Sequence, residues 1–308
     1  MSDWALNTPV ALIIFNRPDT TDRVFAEIAK AKPPILLVVA DGPRKDQKDE
    51  AERCEAARAV INKVDWACKI LTNFSAVNLG CKKRVASGIS WIFDQVPEAI
   101  ILEDDCLPHP TFFRFCEEML IYFRDDKRIG MISGDNFQSV HERAHCSYYF
   151  SRYNHIWGWA SWRRAWAHYD QDISTWPIAR QKNLLSIVLR NPKEIIFWNK
   201  KFDQVYEGRI DTWDYQWTFA LWMQSMLTVL PSVNLISNIG FGVHATHTIE
   251  HSPYADLITS PVTFPLIHPL EVLPNRSADD ITFKEMYTRN RRSRIMSIVA
   301  SLFHQKVR

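Results

Sequence analysis

The strongest constraint on this chain is a rhythm in its first half, where short, wholly apolar runs alternate with stretches of helical periodicity. The VALIIF run at 10–15 and the ILLVVA run at 35–40 show no polar–apolar alternation, so as strands they must be covered on both faces. Between them, residues 19–30 place Val24, Phe25, Ile28 and Ala29 on one helical face, and Pro33-Pro34 stops the helix. The pattern repeats with a charged helix over 46–64, a weaker strand over 68–72 and a helix over 80–94. Strands over 99–102 and 129–133 then flank a helix around 112–123. Such alternation predicts an α/β fold: a mostly parallel sheet with helices on both faces. Ligands of such sheets sit at the carboxyl ends of the strands, so the residues following each strand carry the functional information.

The length of 308 residues accommodates one large domain or two ordinary ones. With 46% hydrophobic and 23% charged residues, the composition excludes a disordered or collagen-like chain. A formal net charge of +2 argues against a nucleic-acid binder, which needs a strongly basic face. The apolar runs fall far short of the ~18 residues a membrane span requires. The N-terminus lacks the basic start of a secretory signal, and the six cysteines contain no Cys-x-x-Cys pair, so a reduced cytoplasmic protein is expected. The second half holds nine of the twelve tryptophans and little glycine, which predicts helices and packed loops rather than hairpins. Residues 286–308 mix six basic residues with an apolar set that includes Ile295, Ile298, Leu302 and Phe303. They read as a basic amphipathic helix suited either to packing on the domain or to peripheral contact with an anionic membrane face.

Chemistry concentrates in Glu103-Asp104-Asp105, three carboxylates directly after a buried strand. Continued strand geometry would project Glu103 and Asp105 together and Asp104 away. Paired carboxylates of this kind suit Mg²⁺ or Mn²⁺, hard cations that also bind substrate phosphates. Lys82, Lys83 and Arg84 open a helix whose dipole favours negative charge, a conflict that an anion lodged at that end would relieve. Asp41, Asn78 and Asn136 lie on the same rim, Asp41 either accepting from a base or ribose or simply forming an Asp-Gly turn.

The IFNRP segment at 14–18, the VVADG strand end at 38–42, the Asn78-Leu79-Gly80 segment and Glu103-Asp104-Asp105 follow one another in an order that resembles the glycosyltransferases of the GT-A fold. The resemblance is to the N-acetylglucosaminyltransferase I group and to bacterial family-2-like enzymes of surface-polysaccharide synthesis. It implies a Rossmann-like sheet with a Trp-rich acceptor side: a domain over 1–255, with a nucleotide-sugar half (1–140) and an acceptor half (141–255), and an extension over 256–308. It implies Asp105 as ligand of Mn²⁺ or Mg²⁺ on a nucleotide-sugar, probed first with UDP-sugars. Asp41 would hold the nucleoside, Glu103 and Asp104 the ribose or donor sugar, and Asn16, Arg17, Asn78, Arg84 and Asn136 the rest of the donor.

An inverting reaction also needs a base for the acceptor hydroxyl. Asp214 in the DTWDYQW segment resembles the base region of the same group, with Asp211 as the second choice or as the cap of the following helix. Trp157 and Trp159 bracket a glycine and would offer flat faces to sugar rings, although core packing explains a tryptophan equally well. His247, or less well His244, in a glycine-punctuated loop is a further metal candidate. The partners implied are a nucleotide-sugar donor and a glycan or lipid-linked acceptor. A sugar-phosphate nucleotidyltransferase would want glycines after the first strand, which Asn16-Arg17-Pro18 lacks, and a non-catalytic carbohydrate binder would leave the acidic triplet unexplained.

Overall fold

In a computed structural model, which describes residues 4–138, 145–241 and 254–288, the apolar runs form adjacent strands of an eight-stranded sheet. The strands are β1 (Val10–Ile14), β2 (Ile35–Ala40), β3 (Lys69–Phe74), β4 (Glu98–Glu103), β6 (Ile129–Ser133), β7 (Tyr148–Ser151), β8 (Trp159–Trp162) and β9 (Leu227–Pro231). The sheet order is β3-β2-β1-β4-β8-β6-β9-β7. The first four strands are parallel, with Ile13 opposite both Val39 and Glu103. β8 runs antiparallel between β4 and β6, and β7 pairs antiparallel with β9. A separate ribbon joins β5 (Cys106–Pro108) to β10 (Ile236–Asn238).

The helices are α1 (Pro18–Ala31), α2 (Glu50–Ala59), α3 (Gly80–Gln95), α4 (Thr111–Tyr122), α5 (Arg163–Trp166), α6 (Trp176–Gln181), α7 (Leu185–Val188), α8 (Pro192–Tyr206), α9 (Asp214–Met223) and α10 (Arg276–Thr282), the last continued by a π-helical turn at Phe283–Thr288. Strand alternation sorts the core into two layers. Leu12, Ile14, Val38, Ile100 and Leu102 face α1, α2 and α4. Ala11, Ile13, Val39, Ala99 and Ile101 face α3, α5 and α9. A third cluster, with Trp176, Trp198, Phe202 and Trp222 at its centre, binds α6, α7 and α8 to the outer side of α9. The first-half periodicity therefore reports the actual elements. The second half departs from the expected helices and loops, because β7, β8 and β9 complete the sheet by non-local pairing, which local pattern does not encode.

The tryptophan-rich half is mostly core. Trp159, Trp162, Trp166, Trp176, Trp198, Trp213, Trp217 and Trp222 are all buried, and only Trp157 of the nine keeps appreciable exposure. Trp159, expected as a sugar platform, instead stacks on Trp213 at 5.9 Å in the α9-side core. Residues 257–288 pack against the sheet. Asn275 N–H donates to Phe150 O, and buried Asp279 of α10 accepts from Ser151 Oγ and from Arg152 Nε at 2.8 Å. Residues 286–288 extend the third cluster through Tyr287, and the remainder of the expected basic helix lies outside the described residues.

Candidate active site

The sheet order reverses between β1 and β4: from β1 the chain crosses to β2 on one side, and β4 returns on the other. Crevices form at such switch points, outside the carboxyl ends of the strands. A cavity of about 580 Å³ opens there, lined from β1 by Phe15 and Arg17, from β2 by Asp41 and from β4 by Glu103, Asp104 and Asp105. Its other wall comes from Arg44, from Asn78, Gly80, Cys81 and Arg84 of the α3 entry, from Trp157, from Asp211 to Asp214, and from Asn238, Gly240 and Phe241. The fold thus brings together most of the sequence-selected residues, from positions far apart in the chain.

The acidic triplet does not keep strand geometry. β4 ends at Glu103 and the chain turns at Asp104 and Asp105, so all three carboxylates reach the same cavity. Asp104 is buried and accepts from Phe15 N–H at 3.1 Å and from Arg17 Nη2; Asp105 accepts from Arg17 Nη1 at 2.9 Å. Among the described residues Glu103 has no hydrogen-bond partner, and it is the most perturbed of the three acids. Burial, then the neighbouring charges of Asp105 and Asp104, pushes its carboxyl up to about 8, against the opposing pull of Arg17. Across the cavity Asp214, the first residue of α9, accepts from Thr212 Oγ1 and is also raised above the ordinary carboxylate range, chiefly by burial. Asp211 is exposed on the same rim. It does not cap α9, whose N-cap residue is Trp213 and whose first turn receives no side-chain cap.

Glu103 carries a prediction. A carboxyl whose native pKa is raised holds its proton more tightly folded than unfolded. Its ionisation therefore costs stability as pH climbs from the ordinary carboxylate range through about 8, and the cost is absent below that window. Glu103→Gln should melt higher than the parent at pH 9, by about 2–4 °C for each kcal/mol relieved, with the difference closing by pH 4. A thermal-melt series in pH checks this; a constant offset would show that charge is not the cause.

Several other expected ligands are also tied into the framework of the fold. The anion that relieves the conflict at the start of α3 is the chain's own Asp41: its carboxylate accepts from Gly42 and Leu79 N–H at 2.9 Å, from Gly80 N–H at 3.1 Å and from Asn78 Nδ2 at 3.1 Å. Gly80, at φ +77°, makes the left-handed turn that lets the chain wrap this carboxylate. The Asp-Gly turn reading of Asp41 is therefore the one its geometry carries, and Asn78 locks the same turn through Gly42 O. Arg84 is buried and ties the ends of β2 and β3 together, donating to Ala40 O at 3.1 Å and to Asn73. It still lines the cavity, a guanidinium held by neutral acceptors. Asn16 donates to Glu50 Oε1 at 2.8 Å. Asn136 lies away from the cavity, spending its amide on Pro231 O and on Gln138 N–H, because the chain after β6 turns toward β9. His247 and His244 lie outside the described residues.

Sequence reading missed Arg44, Gly240 and Phe241. Arg44 pairs with the fully buried Glu50 and reaches over the Phe15 ring at 5.7 Å. An arginine three residues after the Asp41 turn was the available signal. Phe241 packs edge-on against Trp157 at 5.9 Å, and Trp157 N–H donates to buried Asp135 Oδ2 at 2.9 Å. Together Trp157 and Phe241 make an apolar wall facing the acids.

The fold and cavity define an α/β protein with a polar crevice at the switch point of a largely parallel sheet. Neither a protein family model nor a curated protein matches the chain. Among solved structures it is similar to the galactosyltransferase LgtC in complex with donor and acceptor sugar analogs (10% identity, 70% of each chain, TM-score 0.35). It is also similar to mouse xyloside xylosyltransferase 1 (13% identity, 71% of this chain and 84% of that one, TM-score 0.33) and to a UDP-glucose pyrophosphorylase complexed with UDP-glucose (10% identity, 73% and 90%, TM-score 0.33). These are distant likenesses of shape and do not decide this chain's reaction.

Proposed function

We propose that this protein is a glycosyltransferase that takes a sugar from a nucleotide-sugar, with a UDP-sugar as the first donor class to test. It would pass the sugar to an acceptor hydroxyl with inversion, in bacterial surface glycan synthesis. The observation that carries the reading is the single cavity in which Glu103, Asp104 and Asp105 face Asp211 and Asp214, with arginines on its wall and the Trp157–Phe241 face beside them.

A divalent cation, Mn²⁺ or Mg²⁺, fits this chemistry. Among the described residues no three His, Cys, Asp or Glu side chains are grouped to hold a metal unaided. Hard cations in phosphate sites typically use only one or two carboxylates and complete their shell with phosphate oxygens and water. Glu103, half-buried among acids and without a donor among the described residues, is the group in want of a cation, and Asp105 beside it is the second oxygen ligand. Bound there, such an ion would supply Lewis-acid stabilisation to the departing diphosphate. The chain's own residues do the rest. Asp214, its carboxyl raised above the ordinary range by burial, accepts the acceptor's proton; Trp157 and Phe241 present apolar faces to sugar rings; Arg44 and Arg84 place positive charge along the donor.

Calorimetry with UDP and other nucleoside diphosphates tests this. UDP should bind with Mn²⁺ present, and Asp105→Ala should weaken that binding at least ~10-fold, the scale of a lost charged contact. Absence of any nucleoside diphosphate binding would favour a non-catalytic carbohydrate binder, and release of pyrophosphate among the products would favour nucleotidyl transfer.

Lipid-linked acceptors would place the enzyme at the inner face of a membrane. Among the described residues no helix is long and apolar enough to cross one. The peripheral contact proposed for the basic C-terminal segment is best tested by deleting 289–308, since Phe283 and Tyr287 belong to the third core cluster and should stay. The truncated protein should fold normally and lose binding to anionic liposomes; unchanged binding would dispose of the membrane contact.

A further inference from the structure

Arg17 follows β1 at the mouth of the crevice and precedes the first turn of α1. Its two terminal nitrogens straddle the acids, Nη1 on Asp105 and Nη2 on Asp104, with the three side chains only 17%, 14% and 4% exposed. Its Nε is buried and makes no hydrogen bond among the described residues. Gly240 closes over the pair: a Cβ there would overlap Asp105 Oδ2 and crowd Arg17 Nη1, so the absence of a side chain leaves room for the guanidinium. Ile239 N–H, donating to Asp105 O at 2.8 Å, holds Gly240 in that position.

We propose that Arg17 is an internal counter-ion that competes with the divalent cation for Asp105 and transfers to the donor's diphosphate on loading, so that cation and nucleotide bind as a coupled pair. The inference rests on the nucleotide-sugar reading of the site. Asp105 Oδ2 is occupied by Nη1, and a cation taking that oxygen must displace the guanidinium. A guanidinium freed in a largely buried setting is costly unless another anion receives it. A diphosphate is such an anion, since its oxygens match the planar fork of donors, and the unused Nε adds a further N–H. The cation alone therefore binds against Arg17, whereas cation and diphosphate together let Arg17 exchange one anion for another. Arg17 is on this view a positioning residue that sets the order and strength of loading.

The test is direct Mn²⁺ binding to the whole protein, followed by the paramagnetic signal of the free ion, with and without UDP. In the parent protein UDP should tighten Mn²⁺ at least ~10-fold, within the usual range of coupling between sites. Arg17→Met, which removes the charge and keeps the length, should bind Mn²⁺ alone more tightly than the parent and show a smaller tightening by UDP, the remainder being the direct contact of the ion with phosphate oxygens. Unchanged or weaker Mn²⁺ binding in folded Arg17→Met, or a tightening by UDP as large as the parent's, would overturn the counter-ion role while leaving the nucleotide site standing. UDP binding equally well with and without Mn²⁺ in the parent would do the same. If UDP binds under none of these conditions, the nucleotide reading itself fails, and this inference with it.

Discussion

Asp214→Asn is expected to lower turnover by about 10²–10⁴-fold, the usual contribution of a general base, while leaving nucleotide binding close to that of the parent. Asparagine keeps the shape and the hydrogen bond from Thr212 Oγ1 but cannot take a proton. The environment argues for this role. Burial raises the carboxyl of Asp214 above its ordinary range, partly offset by the Thr212 hydrogen bond and by Lys201 nearby. A base with a raised pKa is a stronger acceptor near neutral pH. Because the base must be ionised, the rate of the parent should rise with pH through a midpoint above the usual carboxylate range, and Asp214→Asn should lose that limb. Rate and binding, measured separately by product formation and calorimetry, check both statements. Full turnover in Asp214→Asn would transfer the role to another group, Asp211 on the same rim being the first to try.

The largest effect on stability should come from Asp279, far from the cavity. Its carboxylate is fully buried between Ser151 Oγ and Arg152, whose guanidinium also holds Val188 O. One side chain thereby pins α10 to the edge strand β7 and the α7 turn. Removing one partner of a buried pair strands the other, at a cost of about 3–5 kcal/mol. Asp279→Ala should accordingly lower the free energy of unfolding by that order in a denaturant titration. Replacing both residues with apolar ones of similar volume should recover much of it, because no charge is then left unpaired. Loss in Asp279→Ala of less than about 1 kcal/mol would mean that the pair is solvated in solution.

The two residues illustrate different degrees of legibility. Asp214 stood out because an acid set among aromatics at a helix start is locally unusual. Asp279 was invisible: nothing in RSADDIT distinguishes its acids, and its importance arises only when Arg152, more than a hundred positions earlier, arrives beside it. Asp41 shows the intermediate case. Its place at the end of β2 marked it for the rim of the crevice, but whether its oxygens face a nucleoside or the amides of Leu79 and Gly80 depended on how the α3 entry wraps around it. Trp159 and Trp157 differ by two positions and were indistinguishable in the sequence; pairing of β8 within the sheet buries the first and leaves the second on the cavity wall.

What the amino-acid order determined by itself was the α/β alternation, the first four strands, and the placing of acids at their carboxyl ends, because burial on both faces and helical periodicity are local properties of short segments. What only the tertiary structure decided was the company those acids keep. Arg17 between Asp104 and Asp105, Asp214 across the cavity from Glu103 and Gly240 closing over Arg17 and Asp105 are juxtapositions of distant segments, and their energies depend on distance and burial that a linear pattern does not carry.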